Sequence, residues 1–380
     1  MMPDTVDSSP SSAEARASYD DCGQDEGPAV ESVPADSPSR GIALRVSKVI
    51  EETDDARSFV LDVPVEQRSN FAYAPGQFLT VHIPTEGDGG IARCYSLASS
   101  PHTDSELKFT VKRAVAGYGS NWMCDTIRGG ETLHVLPPAG RFVPADLDRD
   151  MLLFAAGSGI TPIISIVKSA LVEGTGKIVV VYANRSSRSV IFARELQFLA
   201  EDHPDRLVVV HLLAELQGRF DVRQMASLVE PYSGFEAYLC GPQPFMAIVK
   251  DALKARGFAP EKVHSEEFLS LTGNPFAPAE VAVGESANSS RTSQLVVALD
   301  GEEHELQWPR NRTLVEVMLD KGLDVPYSCG EGECGSCACS LVAGDVEMDK
   351  AAALDEEDVA SGYILGCRAR PVTDTVRIEF

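Results

Sequence analysis

Leu152-Leu153-Phe154-Ala155-Ala156-Gly157-Ser158-Gly159-Ile160-Thr161-Pro162 marks a change of rhythm in the chain. An apolar run comes first, a Gly-rich turn follows, and a helical pattern then continues to Leu171. Strand, turn and helix start in that order expose bare backbone amides that can hold a pyrophosphate. The turn departs from G-x-G-x-x-G, because Pro162 stands where the third glycine would be. A purely structural turn is the competing reading.

Downstream of it, Lys177 to Tyr182 is rich in β-branched residues and Ser189 to Leu199 has a helical pattern. Leu207 to His211 and Ala237 to Leu239 read as further buried strands. Alternating β and α units predict a parallel sheet with helices on both faces. Ligands of such sheets lie across the carboxyl ends of the strands. Cys240, Gly241 and Pro242 stand at one such end, where a thiol can sit beside a nicotinamide ring or simply pack in the core. Gly157, Gly159, Thr161 and Pro162 belong to the same candidate site. After the second strand, Asn184-Arg185-Ser186-Ser187-Arg188 carries no acid for a ribose 2′-hydroxyl, the usual mark of NAD. Arg185 and Arg188 can hold a 2′-phosphate or form a solvated loop, so these residues lean toward NADPH or toward no strict choice.

Upstream, Ala43 to Val46, Ser58 to Leu61, Phe78 to Ile83, Leu107 to Val111 and Thr132 to Leu136 are short β-rich segments between Gly and Pro turns. They predict a small antiparallel β-barrel. Two stretches in it carry chemistry. Arg93-Cys94-Tyr95-Ser96-Leu97 ends one segment, and Gly117-Tyr118-Gly119-Ser120 opens a short helix. Arg93 can neutralise a pyrophosphate by bidentate contact. Tyr95 can stack on an isoalloxazine, and the Ser96 hydroxyl can bond flavin N5. The second stretch offers helix-start amides to the same pyrophosphate. Lys112, between the two, joins the candidate cofactor contacts. An Arg and a Tyr on a strand can also be a surface pair. Their order, ahead of a nucleotide-type unit, points to flavin.

Nine cysteines are present, an odd number, and five fall within residues 329–380. That distribution is unlike a secreted disulfide framework and predicts a reducing cytoplasm with metal chemistry at the C-terminus. Cys329-Gly-Glu-Gly-Glu-Cys334-Gly-Ser-Cys337 has the spacing C-x4-C-x2-C, and Cys367 follows later. This is the plant-type spacing for a 2Fe–2S cluster. Structural zinc usually uses two C-x2-C knuckles, and only one such pair is here. Cys339 falls outside the spacing and reads as a small buried side chain.

Composition sets the remaining limits. The formal net charge is -24, with 57 acidic and 33 basic residues, which argues against nucleic acid and against an anionic membrane surface. The charge-free stretch Met151 to Val167 is broken by Gly157, Gly159 and Pro162, so no transmembrane helix is expected. The acidic start of the chain lacks the apolar core of a signal peptide. The domain map is therefore a disordered acidic tail (1–40), a flavin-binding β-barrel (41–147), a nucleotide-binding α/β domain (148–268), a linker (269–293) and a 2Fe–2S domain (294–380). In this last part Leu295 to Leu299 and His304 to Gln307 flank Asp300-Gly301, a hairpin signal. It holds 18 acidic and 7 basic residues, which suits a basic patch on a protein partner.

On these motifs, residues 41–380 resemble ferredoxin–NADP reductase-like flavoproteins that carry a C-terminal plant-type 2Fe–2S ferredoxin domain. The order flavin, nicotinamide, ferredoxin resembles reductase components of multicomponent oxygenases. Within these, the chain is most similar to reductases of 3-ketosteroid 9α-hydroxylases, and next to those of phenylacetyl-CoA epoxidases. The resemblance implies an α+β, β-grasp ferredoxin domain, and FAD rather than FMN through Gly117 to Ser120. It implies NADH for the steroid-type reductase, with NADPH kept open by Arg185 and Arg188. Electrons would pass from NADH to FAD, to the cluster, and on to a terminal oxygenase of Rieske type in steroid degradation, with the reductase a monomer. Ser96, Cys240 and Glu267 are the catalytic candidates. The family often places an aromatic or acidic residue by the flavin here, and Glu266 and Phe268 flank Glu267. Competing functions are a reductase for a diiron or aromatic/acyl-CoA oxygenase, and a non-enzymatic electron shuttle or redox-sensing ferredoxin protein.

Overall fold

The computed structural model describes residues 41–86, 89–268, 271, 273–276, 291–299, 301–323, 325–349, 353–354 and 356–380. The expected acidic tail, most of the expected linker and Asp300 of the hairpin turn lie outside these residues. Among the described residues no helix is long and apolar enough to cross a membrane.

The first unit is built from β1 (Ile42–Thr53), β2 (Ala56–Asp62), β3 (Phe78–Ile83), β4 (Ile91–Ser96), β5 (Leu107–Lys112), helix α1 (Tyr118–Thr126) and β6 (Thr132–Val135). Its six strands pair antiparallel in the order β4-β3-β6-β1-β2-β5. Alternating residues point inward, so Leu44, Val46, Phe59, Leu79, Val81 and Phe109 are fully buried. A bridge from Leu97 to Phe109 brings the two sheet edges together and closes the predicted barrel.

The second unit comprises β7 (Met151–Ala156), α2 (Ile160–Glu173), β8 (Ile178–Asn184), α3 (Ala193–Asp202), β9 (Leu207–Leu213), the single turn α4 (Ala214–Gln217), α5 (Val222–Val229), β10 (Glu236–Cys240), α6 (Gln243–Ala255) and β11 (Val263–Glu266). Its parallel sheet has the order β11-β10-β7-β8-β9. Both faces of β7 are buried: Leu153 and Ala155 pack with α2, while Leu152 and Phe154 pack with α5 and α6. That explains its unbroken apolar run. From β7 the chain winds outward to β9 and then returns to β10, so the crevice lies between β7 and β10. Lys168, buried in α2, bonds Asp104 of the barrel (2.6 Å) and Glu195 of α3 (3.0 Å).

The expected helix start at Ser189 is corrected. Ser186 and Ser189 cap one another in a 3₁₀ turn, and α3 begins after Phe192, whose φ is 59°. Serine side chains compete with the helix for backbone groups, which a periodicity count does not register.

The third unit contains β12 (Thr292–Leu299), β13 (Glu302–Pro309), α7 (Leu314–Asp320), β14 (Ala338–Ala343), β15 (Val346–Met348), α8 (Glu356–Ala360), β16 (Tyr363–Leu365), β17 (Ala369–Pro371) and β18 (Thr375–Glu379). The main sheet runs β13-β12-β18-β14-β16, with β12 and β18 parallel, and β15 pairs with β17 alone. Thr313 and Glu316 form a capping box that starts α7. The helix packs over Trp308, whose indole N–H donates to Arg312 O at 2.8 Å.

Candidate flavin, nucleotide and cluster sites

Three cavities lie end to end. The first, about 480 Å³, opens at the β7–β10 crevice and is bordered by Gly157, Ser158, Asn184, Arg185 and Pro242. Gly159 has no room for a side chain, since an added Cβ would stand 2.1 Å from the Cys240 carbonyl oxygen. The turn after β7 and the end of β10 therefore meet backbone to backbone. Pro162 lies in the first turn of α2, where its missing N–H has no intrahelical partner to lose. The Thr161 hydroxyl donates to Ser158 O at 3.0 Å and fixes the turn. Cys240 is fully buried, and burial together with the Glu266 carboxylate pushes its thiol well above the usual value, keeping it neutral.

The second cavity, about 260 Å³, is bordered by Arg93, Tyr95, Ser96, Lys112, Gly117, Gly119 and Ser120. Strand β4 supplies the first three, and the loop into α1 supplies the last three. Among the described residues, Arg93 has no carboxylate partner; its guanidinium donates only to Ala92 O at 2.6 Å. A cation and the open amides of α1 thus face one space, as a pyrophosphate requires. Tyr95 stacks one ring face on Phe109, with centroids 5.6 Å apart. The Ser120 hydroxyl accepts from Ala114 N–H at 3.0 Å and so shapes the loop itself. Leu97 is a core residue of the barrel, fully buried, with its N–H donating to Gln77 O at 2.8 Å. Lys112 borders the first two cavities and lies 3.6 Å from Asp55.

The third cavity, about 530 Å³, lies where the barrel, the parallel sheet and the cysteine loop converge. Ser96 borders it as well as the second cavity, and Cys329 and Cys334 stand in its far wall. Ser96 is 3% exposed, and among the described residues its hydroxyl has no hydrogen-bond partner. A buried hydroxyl without a partner is costly unless a ligand completes it, and flavin N5 is such a ligand. Glu266 and Glu267 both border this cavity but face different company. Glu267 is exposed and accepts from Gln243 Nε2 at 3.2 Å. Glu266 pairs in register with Cys240, and burial raises its carboxyl to about 7. The structure therefore brings Glu266 beside Cys240, whereas the sequence put Glu267 forward. Phe268 borders the second and third cavities together.

All four spaced cysteines are buried and unbridged. Among the described residues, no group of three or more His, Cys, Asp or Glu is arranged around one ion. The thiols instead form a linked row, Cys334–Cys329–Cys367–Cys337. Such a row could supply four sulfurs to a two-iron cluster. Neighbouring thiols that donate to Cys329 hold it far below the usual thiol value, as a ligand sulfur needs. Backbone N–H groups of Glu331 and Cys367 already point at Cys329 Sγ (3.3 Å) and Cys337 Sγ (3.4 Å). Gly330, Gly332 and Gly335 all have φ between 70° and 83°, which lets the loop curl around the cluster. Cys339 sits apart on β14, its Sγ 3.9 Å from Ile364 O.

The cysteine loop is stitched to the barrel. Buried Thr80 of β3 and Ser328 share a hydrogen bond of 2.6 Å, and Thr80 also lies 3.5 Å from Cys94 Sγ. Residues 273–276 reach both sides: Gly273 N–H donates to Glu331, Asn274 donates to Gly89 O, and Tyr327 donates to Pro275 O at 3.5 Å. Arg141 of the barrel bonds Ala353 O and lies 3.4 Å from Asp358.

Three domain families match in succession along the chain. Residues 43–143 match the oxidoreductase FAD-binding domain, 153–251 the oxidoreductase NAD-binding domain, and 297–372 the 2Fe-2S iron-sulfur cluster binding domain. The chain is 58% identical over 345 residues to the 3-ketosteroid-9-alpha-monooxygenase ferredoxin reductase component of Rhodococcus rhodochrous, covering 90% of this chain and 97% of that one. It is 49% identical over 345 residues to the same component in Mycolicibacterium smegmatis, covering 90% and 98%. The glycine betaine monooxygenase reductase of Pseudomonas aeruginosa is 30% identical over 348 residues, covering 88% and 94%. Among solved structures, phthalate dioxygenase reductase superposes with a TM-score of 0.53 at 25% identity, covering 90% of this chain and 98% of that one. With FAD-binding, NAD-binding and 2Fe–2S domains in that order, this chain belongs to the family of 3-ketosteroid-9-alpha-monooxygenase ferredoxin reductase components.

Proposed function

We propose that this chain is the NADH-dependent reductase of a steroid 9α-monooxygenase, delivering electrons through FAD and a 2Fe–2S cluster to a terminal oxygenase of Rieske type. It would act as a monomer in the cytoplasm. One observation carries the reading: the three cavities share walls, so a continuous passage runs from the β7–β10 crevice past Ser96 to Cys329 and Cys334. A bound flavin supplies the exchange between two-electron hydride and single electrons, which the cluster then relays.

The protein's part is positioning and charge. The turn at Gly157 and Gly159, with the α2 N-terminus, holds the dinucleotide phosphates. Arg93 and the α1 amides hold those of the flavin. The neutral Cys240 thiol is buried and borders none of the three cavities, and the Ser96 hydroxyl would meet the flavin where the second and third cavities join. Glu266, raised to about 7, holds a proton there that it can release near neutral pH. Phe268 stands at the junction, bordering both the second and third cavities.

Anaerobic NADH added to the purified holoprotein should bleach the flavin band first and the cluster bands next. A protein that only shuttles electrons would leave the flavin band intact, and that outcome would refute the reductase reading. Ser96→Ala should slow flavin reduction by about tenfold to a hundredfold with little change in KM for NADH, since it removes one hydrogen bond at the reacting atom. Stopped-flow absorbance measures this; an unaltered rate would remove Ser96 from the site.

Delivery to the oxygenase should fall as salt rises. Residues 294–380 carry 18 acids against 7 bases, and Arg310, Arg312, Arg368, Arg370 and Arg377 are already ion-paired within the unit. An exposed acidic face steers a basic partner over only about 8 Å at physiological ionic strength. Turnover with the oxygenase that stays flat between low and high salt would rule out this docking mode.

A further inference from the structure

The first cavity ends against the turn that follows β8, the place where dinucleotide-binding sheets read the ribose 2′-position. From sequence, Arg185 and Arg188 could hold a 2′-phosphate there. Their surroundings do not favour that use. Arg185 borders the cavity, yet its guanidinium lies 3.6 Å from the Asp55 carboxylate. Arg188 is exposed and does not border the cavity. The Ser187 N–H, a natural phosphate donor, is spent on Glu215 Oε1 at 2.9 Å. Glu215 is itself fixed, because its own N–H donates to Arg185 O at 2.9 Å. Glu215 does not itself border the cavity, but its carboxylate, brought across from the end of β9, occupies the Ser187 N–H and sets a negative charge behind the turn that a phosphate would approach.

Asn184 completes the arrangement. It is the last residue of β8, borders the cavity and is 8% exposed. Among the described residues its carbonyl oxygen has no hydrogen-bond partner. The neighbouring Tyr182 hydroxyl donates to Gly157 O (3.0 Å) and accepts from Ile191 N–H (3.2 Å), and its second lone pair can accept only from the Asn184 amide nitrogen, leaving the Asn184 carbonyl oxygen open. A buried carbonyl oxygen left open beside the cavity suits a ribose hydroxyl, which can donate to it.

We propose that Glu215 makes this chain select the dinucleotide with a free 2′-hydroxyl and repel one with a 2′-phosphate, while Asn184 bonds the ribose. The inference rests on the nicotinamide reading of this cavity. A 2′-phosphate carries more than one negative charge at neutral pH, and near a protein surface two like charges a few ångströms apart repel strongly. Lys112 and Arg219 also border the cavity; Lys112 shares the Asp55 carboxylate with Arg185, and among the described residues Arg219 is the cation on this cavity without an ion pair, so it could favour the phosphate.

The test compares wild-type holoprotein with Glu215→Gln and Glu215→Arg. Glutamine keeps the acceptor for Ser187 N–H, so the turn is held while the charge is removed. NADH- and NADPH-dependent ferricyanide reduction gives kcat/KM for each nucleotide. The wild type should prefer NADH by about a hundredfold, and Glu215→Gln should raise kcat/KM for NADPH about tenfold while NADH stays within about threefold. Glu215→Arg should raise NADPH use further. Calorimetric binding of AMP and 2′-phospho-AMP reads the same site without turnover. Glu215→Gln should tighten only 2′-phospho-AMP, and Asn184→Ala should weaken AMP. A wild type that uses NADPH as well as NADH, or an unchanged ratio in both Glu215 variants, overturns the proposal and implicates Arg219. Flavin reduction by neither nucleotide in the wild type would defeat the reductase reading instead, and the AMP measurements would still decide the role of Glu215.

Discussion

Cys367→Ser should strip iron and acid-labile sulfide from the purified protein and lower NADH–cytochrome c reduction about a hundredfold, with NADH–ferricyanide reduction kept within about threefold. Cys367 is the link in the sulfur row, in contact with both Cys329 and Cys337, and its own N–H donates to Cys337 Sγ at 3.4 Å. It also lies far along the chain from the other three ligands, so no neighbouring thiol can replace it. Cys339 is on β14 with its sulfur turned to Ile364 O. Ferricyanide can take electrons from the flavin directly, which separates loss of the cluster from loss of the fold. Retention of the brown chromophore and of full cytochrome c reduction would remove Cys367 from the ligand set.

Gly159→Val is the second large effect expected. A Cβ at this position would stand 2.1 Å from Cys240 O and 2.5 Å from its carbonyl carbon, and backbone cannot rotate away as a side chain can. Either the turn after β7 or the end of β10 must shift, and both edges of the nucleotide crevice belong to that pair. Overpacking at such a contact costs about 1–3 kcal/mol, and it acts where the hydride must travel. Flavin reduction by NADH should fall about a hundredfold or more. Chemical reduction by dithionite should still bleach both flavin and cluster, because the barrel and the cysteine loop lie elsewhere. Near-normal kcat/KM for NADH in this variant would show that the β7 turn does not hold the nucleotide.

What the sequence reveals depends on how locally each feature is encoded. The cluster loop is legible because thiol spacing and glycines are written within nine residues, Cys329 to Cys337. The parallel sheet is legible because β7 and β8 are buried on both faces and therefore lack polar alternation. The choice between Glu266 and Glu267 is not local. Adjacent strand residues face opposite sides, and only the register of β11 on β10 shows that Glu266 meets Cys240. Glu215 is hidden for a similar reason. It reaches the turn after β8 from a different strand end, so no motif around Arg185 reports it. The Ser96 and Asn184 side chains gain meaning only when their open hydrogen-bonding groups are seen to face cavities.

The hydrogen bond between Thr80 and Ser328, with the 273–276 crossing beside it, makes the iron centre a fixed terminal rather than a swinging arm. An oxygenase must then come to a stationary electrode and leave again for every electron it receives. Throughput would be governed by how quickly successive visitors land and depart, and lengthening the covalent leash between the two redox modules should gain nothing.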